Sequence, residues 1–212
     1  NVIFHCCGSL SSSIWDAPDN IEIKVASVHP IHSFAEANSS LNNPINFHCA
    51  IEGDIEAMEI LTVPFKLIGA TLHKIDRDTK SLYHASTVMA CNYLVSLLEL
   101  SHSMLQAAGI EQGKDRDILR PLIEQTLNNY LSTDAKKALT GPISRGDINT
   151  VSSHLLALDN QSQIWRDVYI SLGKVTLDVA EKQGSPVENL NKISSLLEKS
   201  LNLGMYKDQN EN

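Results

Sequence analysis

The 212 residues contain no G-x-G-x-x-G, no C-x-x-C, no H-E-x-x-H and no cluster of Lys or Arg. Each absence excludes something. Without the glycine fingerprint there is no ready cradle for a pyrophosphate at a helix N-terminus. Without paired thiolates or a His-Glu-x-x-His helix, a zinc site lacks its usual ligand set. The nearest approach to one is His29-x-x-His32, with His5 and His48 in the same half, and no carboxylates stand near them at ligand spacing. No metal is therefore expected. The 17 basic residues are outnumbered by 25 acidic ones, for a formal charge of -8. That balance argues against a nucleic-acid surface, whose affinity comes largely from neutralising phosphates. No run approaches the roughly 20 apolar residues of a membrane-spanning helix, and the N-terminus lacks the basic segment of a secretory signal. A cytoplasmic protein without a membrane partner is expected. Of the four Cys, Cys6 and Cys7 are adjacent, while Cys49 and Cys91 sit in apolar surroundings. This spacing is no disulfide framework.

What is present is ordinary in bulk, 42% hydrophobic and 20% charged, but sharply divided along the chain. Up to about residue 78 the pattern is short apolar runs separated by turns, and it predicts strands at Val2–Cys7, Ile23–Val28, Ile45–Ile51 and Ala70–Ile75. Asp54 reads as the N-cap of a helix running towards Gly69, kinked at Pro64. From Lys80 the pattern is helical: about 80–108, 115–132, 147–158, 161–183 and 187–203. The predicted architecture is α/β followed by all-α: a partial, Rossmann-like parallel sheet over 1–78, a helical domain over 79–206 and a disordered tail over 207–212. The first strand runs straight into Cys6-Cys7-Gly8-Ser9, as interior strands of parallel sheets do beside a ligand. Such a strand needs neighbours on both sides, so an upstream part of the α/β domain is expected beyond these residues.

Three stretches could carry chemistry. In Ala26-Ser-Val-His29-Pro30, Pro30 restricts His29 to an extended conformation at the carboxyl end of a strand, where ligands gather in open α/β sheets. A His that merely bonds a loop carbonyl fits equally well. In Lys80-Ser-Leu-Tyr-His84, Lys80 and His84 share a helix face, with Thr87 and Cys91 continuing it and Asn92 roughly 80° further round. A cation, an imidazole and an amide directed into one cleft can polarise a carbonyl. A solvated Lys with a core His and Asn is the plainer alternative. In Leu139-Thr-Gly-Pro-Ile-Ser-Arg145-Gly-Asp147, two turns present Arg145 to an anion or a neighbouring subunit.

Together with His5-Cys-Cys-Gly-Ser-Leu10, Ile51-Glu-Gly-Asp54, Asn92-Tyr-Leu94, His154 and Tyr169-Ile-Ser-Leu-Gly173, these stretches resemble one family: Rossmann-like proteins with a helical C-terminal domain, known as domain of unknown function 2520. The resemblance implies kinship with hydroxyacid dehydrogenases, ketopantoate and pyrroline-carboxylate reductases and prephenate dehydrogenases. It therefore implies an NAD(P)-dependent oxidoreductase acting on a small carbonyl, imine or carboxylate-bearing metabolite, with this chain as its substrate side. By the same likeness Lys80, His84, Asn92 and His29 would be catalytic. Cys7, Gly8, Ser9, His29 and Pro30 would line the nicotinamide end of the cofactor, and Tyr83, Thr140 and Arg145 would bind substrate. NADP or NAD is expected in the full-length protein and none on this chain alone, since the glycine fingerprint lies upstream in the family. The helical domain is expected to form a homodimer. A non-catalytic dimerisation or ligand-sensing module is the alternative reading, and a metal-dependent hydrolase a weaker one.

Overall fold

The computed structural model describes residues 1–15, 22–33 and 47–208. The chain divides into two compact units, Asn1–Glu99 and Leu100–Asn212. The division falls beyond the boundary read after residue 78, because the helix that starts at Lys80 is tied by its first turn to the sheet of the first unit.

That sheet has four strands in sequence order, β1 (Val2–His5), β2 (Lys24–Ile31), β3 (Phe47–Gly53) and β4 (Ala70–Lys74). It is mixed, not wholly parallel. β1 runs parallel to β2 and β3 to β4, but β2 and β3 are antiparallel, with Ser27 opposite Glu52 and His29 opposite Ala50. Alternation gives the sheet two unlike faces. Ala26, Val28, Cys49, Ile51 and Ala70 pack against Ala57, Met58 and Leu61 of helix α1 (Ile55–Leu67) to form the core. The residues between them on β2 and β3, Ser27, His29, His48 and Glu52, belong to the other face.

Several details depart from the sequence reading. β1 stops at His5, so Cys6 and Cys7 lie in the following loop. β2 extends to Ile31 and includes His29 and Pro30 within the strand. β1 pairs only as far as Ser27, so this last stretch of β2 has a ladder neighbour on the β3 side alone, where proline is tolerated. β3 begins at Phe47, and residues 45 and 46 of the expected strand lie outside the described residues. Asp54 stands at the N-cap of α1, but its carboxylate makes no cap hydrogen bond and is used elsewhere, and α1 carries Pro64 inside its last turn.

The expected helix over 80–108 is two, α2 (Lys80–Ala90) and α3 (Asn92–Ala107), parted at Cys91. By length and composition alone, Lys80–Ala107 is apolar enough to cross a membrane, which the sequence reading did not anticipate. The helical unit continues with α4 (Lys114–Ser132), the short α5 (Ala135–Ala138), α6 (Ile148–Leu158), α7 (Gln163–Gln183) and α8 (Val187–Asp208). Its core joins Ile143, Val151, Leu155, Ile170, Ala180, Ile193 and Leu197. Asp147 caps α6 through Thr150, and Gly184 ends α7 in the left-handed conformation. α8 reaches Asp208, two residues into the expected tail, and residues 209–212 lie outside the described ones.

Gly53 ends β3 at φ 135°, and a Cβ there would lie 2.3 Å from the Val25 carbonyl oxygen and 2.5 Å from Ala26 Cα. Gly53→Ala should combine left-handed strain with a backbone clash that cannot relax by rotating a side chain. A loss of about 2 kcal/mol or more is expected in urea unfolding of the variant.

Candidate functional site

Above the polar face of the sheet lies an ion pair that water does not reach. Glu52 and Lys80 are 1% and 2% exposed, and Lys80 Nζ stands 3.0 Å from Glu52 Oε1. The same ammonium donates to the Ser27 hydroxyl. Ser12 donates its backbone N–H to Glu52 Oε1 at 2.9 Å and its hydroxyl to Oε2 at 2.6 Å. Arg77 Nε lies 3.6 Å from Oε2, and its Nη2 donates to Asp54 Oδ1 at 3.1 Å. The second Asp54 oxygen accepts the Val25 N–H at 2.8 Å. Two cations alternate with two carboxylates, so each charge of this network faces an opposite one. Burial pushes the Glu52 carboxyl up, but the hydrogen bonds from Ser12 and Lys80 outweigh it and hold the group below its ordinary value.

One turn further along α2 the side chains change from structural to reactive. A helix rises about 6 Å over four residues, and a strand advances about 6.6 Å over two. With Lys80 seated on Ser27, α2 running along β2 therefore brings Tyr83 and His84 over His29. His29 Nδ1 and the Tyr83 hydroxyl are 2.8 Å apart. The His29 and His84 rings meet edge to face, their centroids 5.7 Å apart. Gly8 lies between the two imidazoles: a Cβ on it would stand 2.6 Å from His84 Nδ1 and 2.7 Å from His29 Nε2. His84 Nδ1 is buried without a hydrogen-bond partner among the described residues.

Burial, with the charges of His84 and Lys80 adding to it, holds His29 below its usual value, so its ring is neutral near pH 7. Burial raises the Tyr83 phenol, with the Cys49 thiol contributing, so it keeps its proton. The pair then carries two protons and uses one of them between its members. The other is left to donate outward, from His29 Nε2 or from the Tyr83 oxygen.

The loop carrying Gly8 is tied on both sides. His5 Nδ1 accepts the Cys7 N–H at 3.1 Å while its Nε2 donates to the Ser11 carbonyl at 3.3 Å. Ser27 Oγ approaches the Cys7 carbonyl at 3.4 Å. Hydrogen bonds from the Ser9 hydroxyl and the Leu10 N–H hold the Cys7 thiol below its usual range.

Of the residues singled out from sequence, His29, Tyr83, His84 and Gly8 converge, with Cys7 and Ser9 in the adjoining loop and Pro30 next to His29 in β2. Lys80 is present but lies beneath them with its ammonium engaged. Asn92 is exposed at the start of α3, and among the described residues its amide bonds none of these groups. Thr140 and Arg145 are exposed residues of the helical unit. Sequence reasoning gave no role to Glu52, Ser12 or Arg77; the signal was a carboxylate inside the apolar run Cys49-Ala-Ile-Glu52, a residue that needs a buried partner there. A groove of about 500 Å³ follows α2 past Ile75, Leu82, Tyr83 and Met89 and meets the cluster at Tyr83. Among the described residues no three His, Cys, Asp or Glu side chains gather as a metal-binding set.

A family model described as Domain of unknown function (DUF2520) matches residues 47–176. The chain belongs to the DUF2520 family. Among solved structures it is similar to protein TM1727 from Thermotoga maritima, with 26% identity and a TM-score of 0.70 over 86% of this chain and 70% of that one. It is also similar to the putative NADP oxidoreductase BF3122 from Bacteroides fragilis, with 20% identity and a TM-score of 0.64 over 85% of this chain and 65% of that one. The second likeness is one of fold. No curated protein matches the chain.

Removing one partner of the buried pair leaves the other charge uncompensated. Glu52→Gln should cost about 3–5 kcal/mol in denaturant unfolding, and the double change Lys80→Met, Glu52→Met less than that. Because the folded-state value of Glu52 is depressed, its contribution is complete above its unfolded value, about 4.3, and is lost as pH falls through the folded one. Acid unfolding followed by circular dichroism should therefore be shallower in Glu52→Gln than in the parent.

Proposed function

We propose that this chain is the substrate-side part of an NAD(P)-dependent oxidoreductase acting on a small carbonyl, imine or carboxylate-bearing metabolite, with His29, Tyr83 and His84 at its proton-donating end. One observation carries this reading. Two imidazoles and a phenol meet over a side-chain-free residue at the carboxyl ends of two parallel strands, with one proton to spare and one buried nitrogen unpartnered. Such an arrangement is what a general acid needs when negative charge develops on a substrate oxygen or nitrogen. The likeness in fold to a putative NADP oxidoreductase supports the same reaction class.

The residues present fit the ring end of a nicotinamide cofactor, where Gly8 presents no side chain and half-buried His84 and His29 offer ring faces and edges beside it. They do not fit its pyrophosphate, for which the 212 residues hold no glycine fingerprint. When bound, the nicotinamide would supply the hydride. The His29–Tyr83 pair would deliver the proton, and His84 Nδ1 would hold the substrate atom that receives it. Lys80 acts through Ser27 and Glu52 as a positioning residue: it fixes the turn of α2 that carries Tyr83 and His84. Exposed Arg145 and Thr140 are suited to a substrate carboxylate.

Reduced nicotinamide mononucleotide is the appropriate probe, since it has the ring without the pyrophosphate. Titrated into the 212-residue protein, it should shift the His29 and His84 ring-proton resonances saturably. Gly8→Ala should abolish those shifts by displacing both rings, with the circular dichroism spectrum unchanged. Histidine resonances that stay unmoved up to the solubility limit of the probe would refute the assignment.

The helical stretch also presents apolar surface suited to a second copy. α3 buries none of its residues, and Leu82, Met89, Tyr93, Val95, Ile164 and Val175 are all more than half exposed. A homodimer through the helices would cover them. Light scattering behind a size-exclusion column should give a dimer mass at tens of micromolar protein, and a monomer mass there would exclude it.

A further inference from the structure

The helical unit contains an arrangement to which the proposed reaction gives no task. Tyr169 and His154, two motif positions on α7 and α6, meet at 2.9 Å between the hydroxyl and Nδ1, with their rings edge to face at 5.8 Å. They stand at the wall of a cavity of about 470 Å³. The other lining is Met104, Ala107, Ala108, Ala157, Leu158 and Trp165, with Gln161 as the remaining polar residue. This size lies within the range of small-molecule sites, and a mostly apolar wall with a few convergent polar groups is their usual composition.

The chemistry of the lining selects its occupant. Among the described residues no Asp, Glu, Lys or Arg lines the cavity, so a charged ligand would give up part of its hydration there without an opposite charge to offset it. Trp165 and Met104 favour a flat aromatic body. Burial raises the Tyr169 phenol, which therefore keeps its proton near neutral pH. The hydrogen bond between His154 and Tyr169 uses one N–H or O–H of the pair. Whichever tautomer is present, one N–H or O–H of the pair remains for a ligand acceptor.

We infer that the helical unit binds a neutral, planar aromatic molecule carrying a carbonyl-type acceptor, through the Trp165 wall and the His154–Tyr169 pair. The site is separate from the His29–His84 cluster and stands whether or not that cluster is catalytic.

Acetophenone, toluene and benzoate distinguish the contributions, with binding read from the Trp165 and His154 ring resonances of the 212-residue protein. Acetophenone should bind saturably and about fivefold more tightly than toluene, the worth of one neutral hydrogen bond, and benzoate should bind more weakly than acetophenone. His154→Leu combined with Tyr169→Phe should erase the preference over toluene while leaving toluene binding, and Ala157→Trp should block all three by filling the cavity. Equal binding of acetophenone and toluene to the parent protein would overturn the inference. So would the absence of any saturable shift, or a Trp165 resonance that moves with protein concentration alone, which would mean that a second copy occupies the cavity.

Discussion

The first unit depends on the ion pair between Lys80 and Glu52. Lys80 begins a helix and Glu52 lies near the end of a strand, and their union, extended by Ser12, Ser27, Arg77 and Asp54, draws a loop, two strands and a helix onto one buried point. Buried pairs of this kind often add little net stability against well-packed apolar residues. What this one supplies is a setting. A helix held to the sheet by apolar contact alone could roll; one whose first residue must place its ammonium between a carboxylate and a hydroxyl cannot. The rotation of α2, and with it the direction of Tyr83 and His84, follows from that constraint.

Much of this was legible in the sequence and some was not. The order of strands and helices followed from hydrophobic period and from Gly, Pro and Asp punctuation, because each is a local property. Helix ends at Ser132, Leu158 and Gln183 fell on or within a residue of their predicted places. The antiparallel pairing of β2 with β3 is not local, and the apolar runs of interior strands read alike in either direction. Lys80 and His84 were rightly placed on one helix face, but a face does not say how deep each residue lies. Lys80 proved to be beneath the cluster rather than in it, and only the position of Glu52 on a neighbouring strand could have revealed this. The pairing of His29 with Tyr83 was hidden for the same reason, since it joins residues 54 positions apart.

A net charge of -8 coexists with apolar helix faces that the described chain does not cover. The α2–α3 stretch is apolar enough in composition to suit lipid, yet its first turn is committed to a buried ion pair. Two His–Tyr pairs of similar geometry, one in each unit, stand out against this background. In each, a phenol that keeps its proton stands within hydrogen-bond distance of an imidazole, so the pair retains a donor beyond the bond it makes internally.

Gly8 is constrained differently from Gly53. At Gly53 the backbone itself demands glycine; at Gly8 no left-handed angle is involved, and the demand comes from two imidazole rings that occupy the space of a side chain. Positions 8, 29 and 84 are therefore epistatic. A methyl group at position 8 collides with both imidazoles while they are there, and a chain that had lost His29 and His84 would be spared those clashes. In related sequences the residue at position 8 would then report whether the imidazole pair is still in use, and it would do so even where the histidines themselves are hard to align.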